Sequence, residues 1–349
     1  MSRIVTESTS LDIVRGASVF STGGGIPFGV QVERIYSLFR SIASINLLDV
    51  DDLNYSDHVC TIYGVGPASK TDIDLSKAIQ KGLEKMESIV NQRFVAIFAG
   101  ETGIESLVFQ SATDAGLHIL DADCTGGRAV PEIQFDNLFV AGKSILPMVV
   151  ATPSGEIKVL RVTKDKQLIE KFVSNIVIST KNSVAVIDHP ISAKYARQFL
   201  TLGVFERSKK VGIFLKRNKG KKNCITNLAQ FVHGRILFKG KISAINLKDD
   251  GDFLEGYIEI TSRRRQAARV YVKNESLILW INNMVTLTPP DLLTLIDKEK
   301  FHGLHNSEIQ IGQDVAVLGI PAVDMWRSVA GMRLFNPRKF GFNMEVKLL

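Results

Sequence analysis

The stretch Asp121-Ala-Asp-Cys-Thr-Gly-Gly-Arg-Ala-Val-Pro-Glu132 gathers three carboxylates, an arginine and a glycine pair in one short segment. Carboxylates at this density can share a proton, hold a metal ion or divide acid and base roles. Asp121 and Asp123 stand two apart, so an extended backbone points both the same way. Arg128 suits a bidentate grip on a substrate carboxylate, or neutralises one of these acids. A purely structural arrangement competes, with Asp121 capping a loop and Arg128 in a buried ion pair with Glu132. Glu101, in Gly100-Glu-Thr-Gly103, is a further acid, unless it only serves the positive end of a helix starting near residue 104. Thr22-Gly23-Gly24-Gly25 reads equally as a nest of N–H groups for an anion or carbonyl and as a tight helix-to-helix turn needing positive φ. It lacks the preceding strand of a dinucleotide fingerprint and the lysine of a phosphate loop.

Other reactive types are sparse. Cys124 lies inside the acidic loop with no histidine nearby in sequence, so nothing local lowers its pKa toward a nucleophile. The histidines show no HExxH spacing, and His302 with His305 is an i, i+3 pair among loop-like residues. Asn274-Glu275 and Asp291 sit where turns and caps are expected. Asp121, Asp123, Glu132 and Glu101 offer hard oxygen ligands for Mg²⁺ or Mn²⁺, and dependence on a divalent metal ion stays open.

Hydrophobic periodicity supplies the elements that must position these groups. Helices are expected over residues 10–20 and 30–45 around the glycine turn. Then come a strand over 59–65, a helix over 75–92, a strand over 94–98, a helix over 104–115 ending at Gly116, and a strand over 117–120. Strands separated by such helices form a helix-covered parallel sheet whose carboxyl ends collect ligands, so Glu101 and the acidic loop should emerge on neighbouring strand ends. Strands are expected over 138–141 and 148–152, with a hairpin turn at 153–156. A boundary near residue 165 separates an α/β domain, residues 1–165, carrying the glycine and acidic loops, from a β-rich domain, residues 166–349. The latter has helices over 166–173, 192–200 and 227–232, short strands over 234–287 broken at 248–252 and 273–275, and further strands over 315–319 and 342–348. Many short strands with tight turns suggest a small antiparallel barrel or sandwich.

With 349 residues, 45% of them hydrophobic, the chain can bury a large core, which excludes a disordered tail or short peptide. No run of eighteen apolar residues and no signal-peptide core occurs, so no membrane partner is expected and the cytoplasm is the expected address. Cys60, Cys124 and Cys224 are widely spaced, which predicts free thiols. The net charge of +7 owes much to residues 207–222, and the triplet Arg263-Arg264-Arg265 adds to it. Without a recognition motif both read as solvated faces, and no nucleic-acid partner is expected.

Over nearly its whole length the chain resembles the S-methyl-thiohydantoin desulfurase family, which is associated with hydantoinases and oxoprolinases. The resemblance is carried by Gly16-Ala17 with Ser21-Thr-Gly-Gly-Gly25, Gly100-Glu-Thr-Gly103, Asp121-Ala-Asp123, and Gly127-Arg-Ala-Val-Pro-Glu132 with Gln134. Phe238-Lys-Gly-Lys241, Gly251-Asp-Phe253 with Gly256, Asn274-Glu275 and Asp291-Leu-Leu follow in order. Val315-Ala-Val-Leu-Gly-Ile-Pro-Ala322, Trp326, Gly331, Pro337 and Phe340-Gly341 complete it. The resemblance implies an N-terminal three-layer α/β/α domain with a mostly parallel sheet and a C-terminal β-barrel domain. It implies an enzyme that replaces sulfur at C2 of a five-membered cyclic ureide or thioureide by oxygen. The alternative is a non-catalytic ligand-binding or regulatory subunit beside a hydantoinase- or oxoprolinase-type enzyme; homo-oligomerisation stays open. In such a reaction Asp123 would activate water and Arg128 or the glycine-loop N–H groups would stabilise negative charge. Glu132 or Asp121 would protonate the leaving sulfur, with Thr22, Gly23, Gly24, Gly25, Glu101, Gln134, Asn274 and Glu275 lining the substrate pocket. The chain departs from the family pattern by one extra residue before Arg128, by Glu105 in a Gly-Gly-x-Asn segment, and by Gln110 in place of a proline.

Overall fold

The structure, a computed structural model, describes residues 3–66, 74–249 and 253–349. Gly251 and Asp252 of the sequence motifs, and residues 250–252 of the turn expected at 248–252, fall outside these. The first sheet is built from β1 (Arg3–Val5), β2 (Ile45–Leu48), β3 (His58–Val65), β4 (Phe94–Ala99), β5 (His118–Asp123), β6 (Met148–Ala151), β7 (Ile157–Leu160), β8 (Val184–Ser192) and β9 (Thr201–Leu202). Their order is β1-β2-β5-β4-β3-β8-β6-β7, with β9 beside β5. Only β2, β5, β4 and β3 pair in parallel; β1, β8, β6, β7 and β9 join antiparallel. The sheet is therefore mixed, which corrects the expected mostly parallel one. The cause is β8: the chain returns from beyond residue 165 and inserts this strand between β3 and β6.

Helices α1 (Glu7–Phe20), α2 (Phe28–Leu38), α3 (Ser76–Val90), α4 (Glu105–Ala115), α5 (Asn137–Val140), α6 (Lys166–Thr180), α7 (Ala193–Phe199) and α8 (Val204–Asn218) accompany this sheet, and α9 (Cys224–Phe231) packs between α8 and the second sheet. Helix α1 starts where the Thr6 hydroxyl accepts the Thr9 N–H, and α4 stops where Gly116 turns left-handed at φ 65°. The strand expected at 138–141 is instead α5, because the Asp136 carboxylate accepts the Leu138 N–H and caps a helical turn. The helix expected through residue 45 ends at Leu38, since Ile45, Leu47 and Leu48 are needed as the buried rungs of β2. The basic stretch forms α8, whose buried Ser208, Val211, Gly212 and Leu215 recur at helical spacing beneath the charges.

The second sheet is antiparallel and runs β14-β13-β12-β11-β10-β16-β15. Its strands are β10 (Arg235–Asp249), β11 (Leu254–Thr261), β12 (Ala267–Lys273), β13 (Glu275–Ile281), β14 (Met284–Leu287), β15 (Leu292–Asp297) and β16 (Asp314–Ile320). The long β10 pairs with β16 through its first half and with β11 through its second, and breaks of register after Ile236 and Ile242 bend it. Among the described residues no ladder joins β14 to β15, so the sheet is a curled half-barrel and not a closed barrel. The segment expected as a strand at 342–348 runs as irregular backbone fastened by Lys347, whose carbonyl accepts the Thr288 N–H at 2.9 Å. Among the described residues no helix is long and apolar enough to cross a membrane. Cys60, Cys124 and Cys224 are buried free thiols.

Candidate functional site

Strands β3, β4 and β5 run in one direction, so their carboxyl ends share an edge. The pairing of Ala99 with Asp123 brings Glu101 and Cys124 just beyond the last rungs, where the Cys124 thiol donates to the Gly100 carbonyl at 3.0 Å. This edge opens on a cavity of about 200 Å³ between the two sheets. Its walls combine Gly24 and Gly25 of the glycine turn, Tyr63, Glu101, Cys124, Thr125, Glu132, Asp136 and His189 with Leu254, Asn274 and Glu275 from the second sheet. Sites for drug-sized ligands hold about 300–1,000 Å³, so this space suits a single small ring.

Two acids dominate its electrostatics. Burial lifts Glu101 to about 8, against the Val130 N–H that it accepts at 2.9 Å, and the charges of Asp123 and Glu105 push the same way. Burial likewise raises Glu275 well above the usual carboxylate range, with the charge of Glu101 adding to it. A neutral carboxylic acid near pH 7 can donate a proton to a developing anion. The glycine turn makes the approach of Glu275 possible: a Cβ on Gly24 would lie 1.9 Å from its Oε1. Gly23 and Gly25 adopt φ of 91° and 73°, and Gly24 spends its N–H on the Ser21 carbonyl. The turn therefore acts as a notch that admits a carboxyl from the second sheet.

The other wall carries a polar chain. Tyr63 donates to Asp188 Oδ2 at 2.8 Å, and Asp188 Oδ1 lies 2.7 Å from His189 Nδ1. His189 Nε2 stands 3.0 Å from Asp136 Oδ2, and one ligand atom each from Cys124, Asp136 and His189 lie within 4.8 Å of one another. Burial opposes the protonated imidazole of His189, but the charges of Asp136 and Asp188 lift it to about 10. Burial, and then the charges of Asp136, Asp188 and Asp123, push the Cys124 thiol well up.

The residues singled out in the sequence divide between the cavity and its support. Gly24, Gly25, Glu101, Glu132, Asn274 and Glu275 line the cavity. Glu132 is ion-paired with Lys273 and accepts from Gln134, so it does not pair with Arg128. Asp121, fully buried, takes Arg3 at 2.7 Å and the Phe205 N–H at 2.7 Å, which holds the start of α8. Asp123 accepts from Gly127 N at 2.9 Å, Thr125 N at 3.3 Å and Thr102 Oγ1 at 3.0 Å, and burial raises it to about 6. It ties the acidic loop to the Gly100–Gly103 loop. Arg128, 1% exposed, donates to the carbonyls of Ala129 at 3.0 Å and Pro290 at 2.7 Å and stacks 4.8 Å over Phe335. Thr22 accepts the Ser276 N–H through its carbonyl, and Gly23 packs against Asn306. Asp121, Asp123, Glu132 and Glu101, the acids considered for a metal ion, are thus held by separate partners. Sequence reasoning missed Tyr63, Asp136 and Asp188, and left His189 without a role. The signal was Val-Ile-Asp-His-Pro190 after an apolar run, unread because residues 184–192 were not recognised as a strand of the first sheet.

Comparison with curated proteins finds no match. Among solved structures, the crystal structure of a protein from Chromobacterium violaceum is similar in fold, with a TM-score of 0.86, 18% identity and 99% of each chain covered. Residues 10–162 match the model of the S-Me-THD-like N-terminal domain and residues 163–349 that of the S-Me-THD-like C-terminal domain. Matched by both models in the order in which they occur, the chain belongs to the S-Me-THD-like family.

Proposed function

We propose that the protein is an enzyme that hydrolyses an S-methyl-thiohydantoin or a related cyclic thioureide in the cavity, releasing a thiol. The observation that carries this reading is Glu101: a carboxyl with its pKa raised to about 8, facing a ring-sized space together with Glu132 and Glu275. A water oxygen bonds to ring C2 while the C2=N electron pair moves to the ring nitrogen, which takes a proton from Glu275. Glu132 takes one proton from the water. Collapse forms the C2=O double bond and breaks C2–S, and Glu101 protonates the departing methanethiolate. The hydroxyl proton returns to Glu275 and that on Glu132 passes back to Glu101, so water and substrate become hydantoin and methanethiol. The proton-handling groups are thus the cavity carboxyls, with Asp121, Asp123 and Arg128 holding the loops that carry them.

The test is to incubate the protein with S-methylated thiohydantoins, following thiol release colorimetrically and binding calorimetrically. Thiol is expected, and Glu101→Gln should lower turnover by about 10²–10⁴-fold with binding largely kept. Tight binding without thiol release would overturn the catalytic reading in favour of a ligand-binding subunit.

A further inference from the structure

We propose that Cys124, Asp136 and His189 form a zinc site whose free coordination position faces the cavity. The three side chains come from three separate places, the end of β5, the cap of α5 and β8, yet present sulfur, oxygen and nitrogen ligand atoms within 4.8 Å of one another. All three residues are buried, and all three line the cavity. His189 Nε2 is the independent pointer. The residue is 1% exposed and this nitrogen has no hydrogen-bond partner, because its 3.0 Å contact with Asp136 Oδ2 has the length of a hydrogen bond without the direction. With His189 neutral, Nε2 and Asp136 Oδ2 set two lone pairs against each other across 3.0 Å, an arrangement that a shared cation relieves.

The surroundings fit the same ion. Asp188 accepts from His189 Nδ1 at 2.7 Å and is itself held by Tyr63, which fixes Nε2 as the nitrogen free to ligate. Asp136 is oriented by the Leu138 N–H on its other oxygen at 2.7 Å. A thiolate, a carboxylate and a neutral imidazole carry two negative charges, which a divalent cation cancels. The mixed sulfur, nitrogen and oxygen set favours zinc over Mg²⁺ or Ca²⁺, which take oxygen ligands. Three protein ligands with a fourth position open to a cavity are the arrangement of reactive and not structural zinc. On binding, the Cys124 proton is released and its hydrogen bond to the Gly100 carbonyl is exchanged for the metal. The open position would present a thiophilic centre beside Glu101. The site itself does not depend on which ring the cavity takes, so it stands or falls separately from the proposed reaction.

The experiment measures metal without substrate. Untagged protein purified without chelator is analysed for zinc, then stripped and titrated with Co²⁺. About one zinc per chain is expected, and Co²⁺ should give a thiolate charge-transfer band that Cys124→Ser abolishes. His189→Gln should weaken zinc at least tenfold, and Asp188→Asn should do so by about 10–100-fold through loss of the imidazole's orienting partner. Circular dichroism checks that each variant is folded, and Cys124→Ser, a near-isosteric change, keeps the test decisive where His189→Gln fails to fold. Protein that is metal-free and binds no Co²⁺, or a cobalt spectrum unchanged in Cys124→Ser, overturns the site; the cluster is then a protonated His189 bridging Asp136 and Asp188.

Discussion

At the scale of single residues, the site is unusual for its acids of raised pKa, with Glu105 and Asp123 buried in the interior and Glu101 lining the cavity. Glu101, Glu105 and Asp123 are raised to about 8, 7 and 6, in each case first by burial. A carboxyl that holds its proton more tightly folded than unfolded contributes stability in full below its unfolded pKa. That contribution is lost as pH rises through the folded value. The molecule should therefore lose stability between about pH 4 and pH 8 from these groups. Glu105 isolates the effect: its Oε1 accepts the Gly103 N–H at 2.9 Å, and its Oε2 is buried without a partner. Glu105→Gln keeps the acceptor and removes the ionisation. Denaturant melts should show the variant matching the parent near pH 5 and gaining on the order of 2–3 kcal/mol by pH 9; an equal offset at both pH values would contradict the argument. Residue types and local spacing made the acidic loop and Glu101 visible in the sequence, whereas Glu275, read locally as a turn residue, came to the pocket only through the family resemblance. Neither route made Asp136, Asp188 and His189 visible, because these meet only after β8 crosses back into the first sheet.

At the scale of elements, the crossing of α1 and α8 sets both loops of the site. A Cβ on Gly16 would lie 1.7 Å from the Ser208 carbonyl oxygen, and one on Gly212 would lie 1.7 Å from that of Asp12. The two helices touch backbone to backbone, so each glycine is needed for its lack of a side chain. The end of α1 leads into the glycine notch, while the start of α8 is held by Asp121, and its Arg207 donates to the Gly127 carbonyl and stacks 3.9 Å over Phe20. Gly212→Ala must separate the helices, at a cost of about 1–3 kcal/mol or more, and should lower the melting temperature and weaken ligand binding together. Gly24→Ala should behave differently: the clash falls on the Glu275 carboxyl, so binding or turnover should drop sharply with a smaller change in melting temperature. Periodicity found α1 and the strands β3, β4 and β5, whose signals are local. It read α8 as a charge stripe, because the apolar positions of that helix are interleaved with lysines and its glycine has meaning only against a partner almost two hundred residues earlier.

At the scale of the whole molecule, the cavity belongs to neither sheet alone, since Glu101, Cys124 and His189 come from the first and Leu254, Asn274 and Glu275 from the second. The packing follows the same division of labour. One continuous core joins Val59, Ala96 and Phe98 of the first sheet to Tyr271, Ile278, Ile296 and Leu318 of the second. Arg128 bolts this junction by donating to the Pro290 carbonyl from the acidic loop, while Asp291 accepts from Arg327 and from the Ala322 N–H at 3.0 Å. Two lobes sharing a core and a buried guanidinium should melt as one, giving a single calorimetric transition with equal calorimetric and van't Hoff enthalpies. Arg128→Ala leaves the Pro290 carbonyl buried without its donor and opens a void against Phe335, and should cost about 2–5 kcal/mol. Arg128→Lys should recover little, because a single ammonium cannot reproduce the planar stack on Phe335 and the fork of donors. Two resolved transitions in the parent protein, or a lysine variant as stable as the parent, would show that the lobes are joined by some other contact and that the cavity between them is free to open.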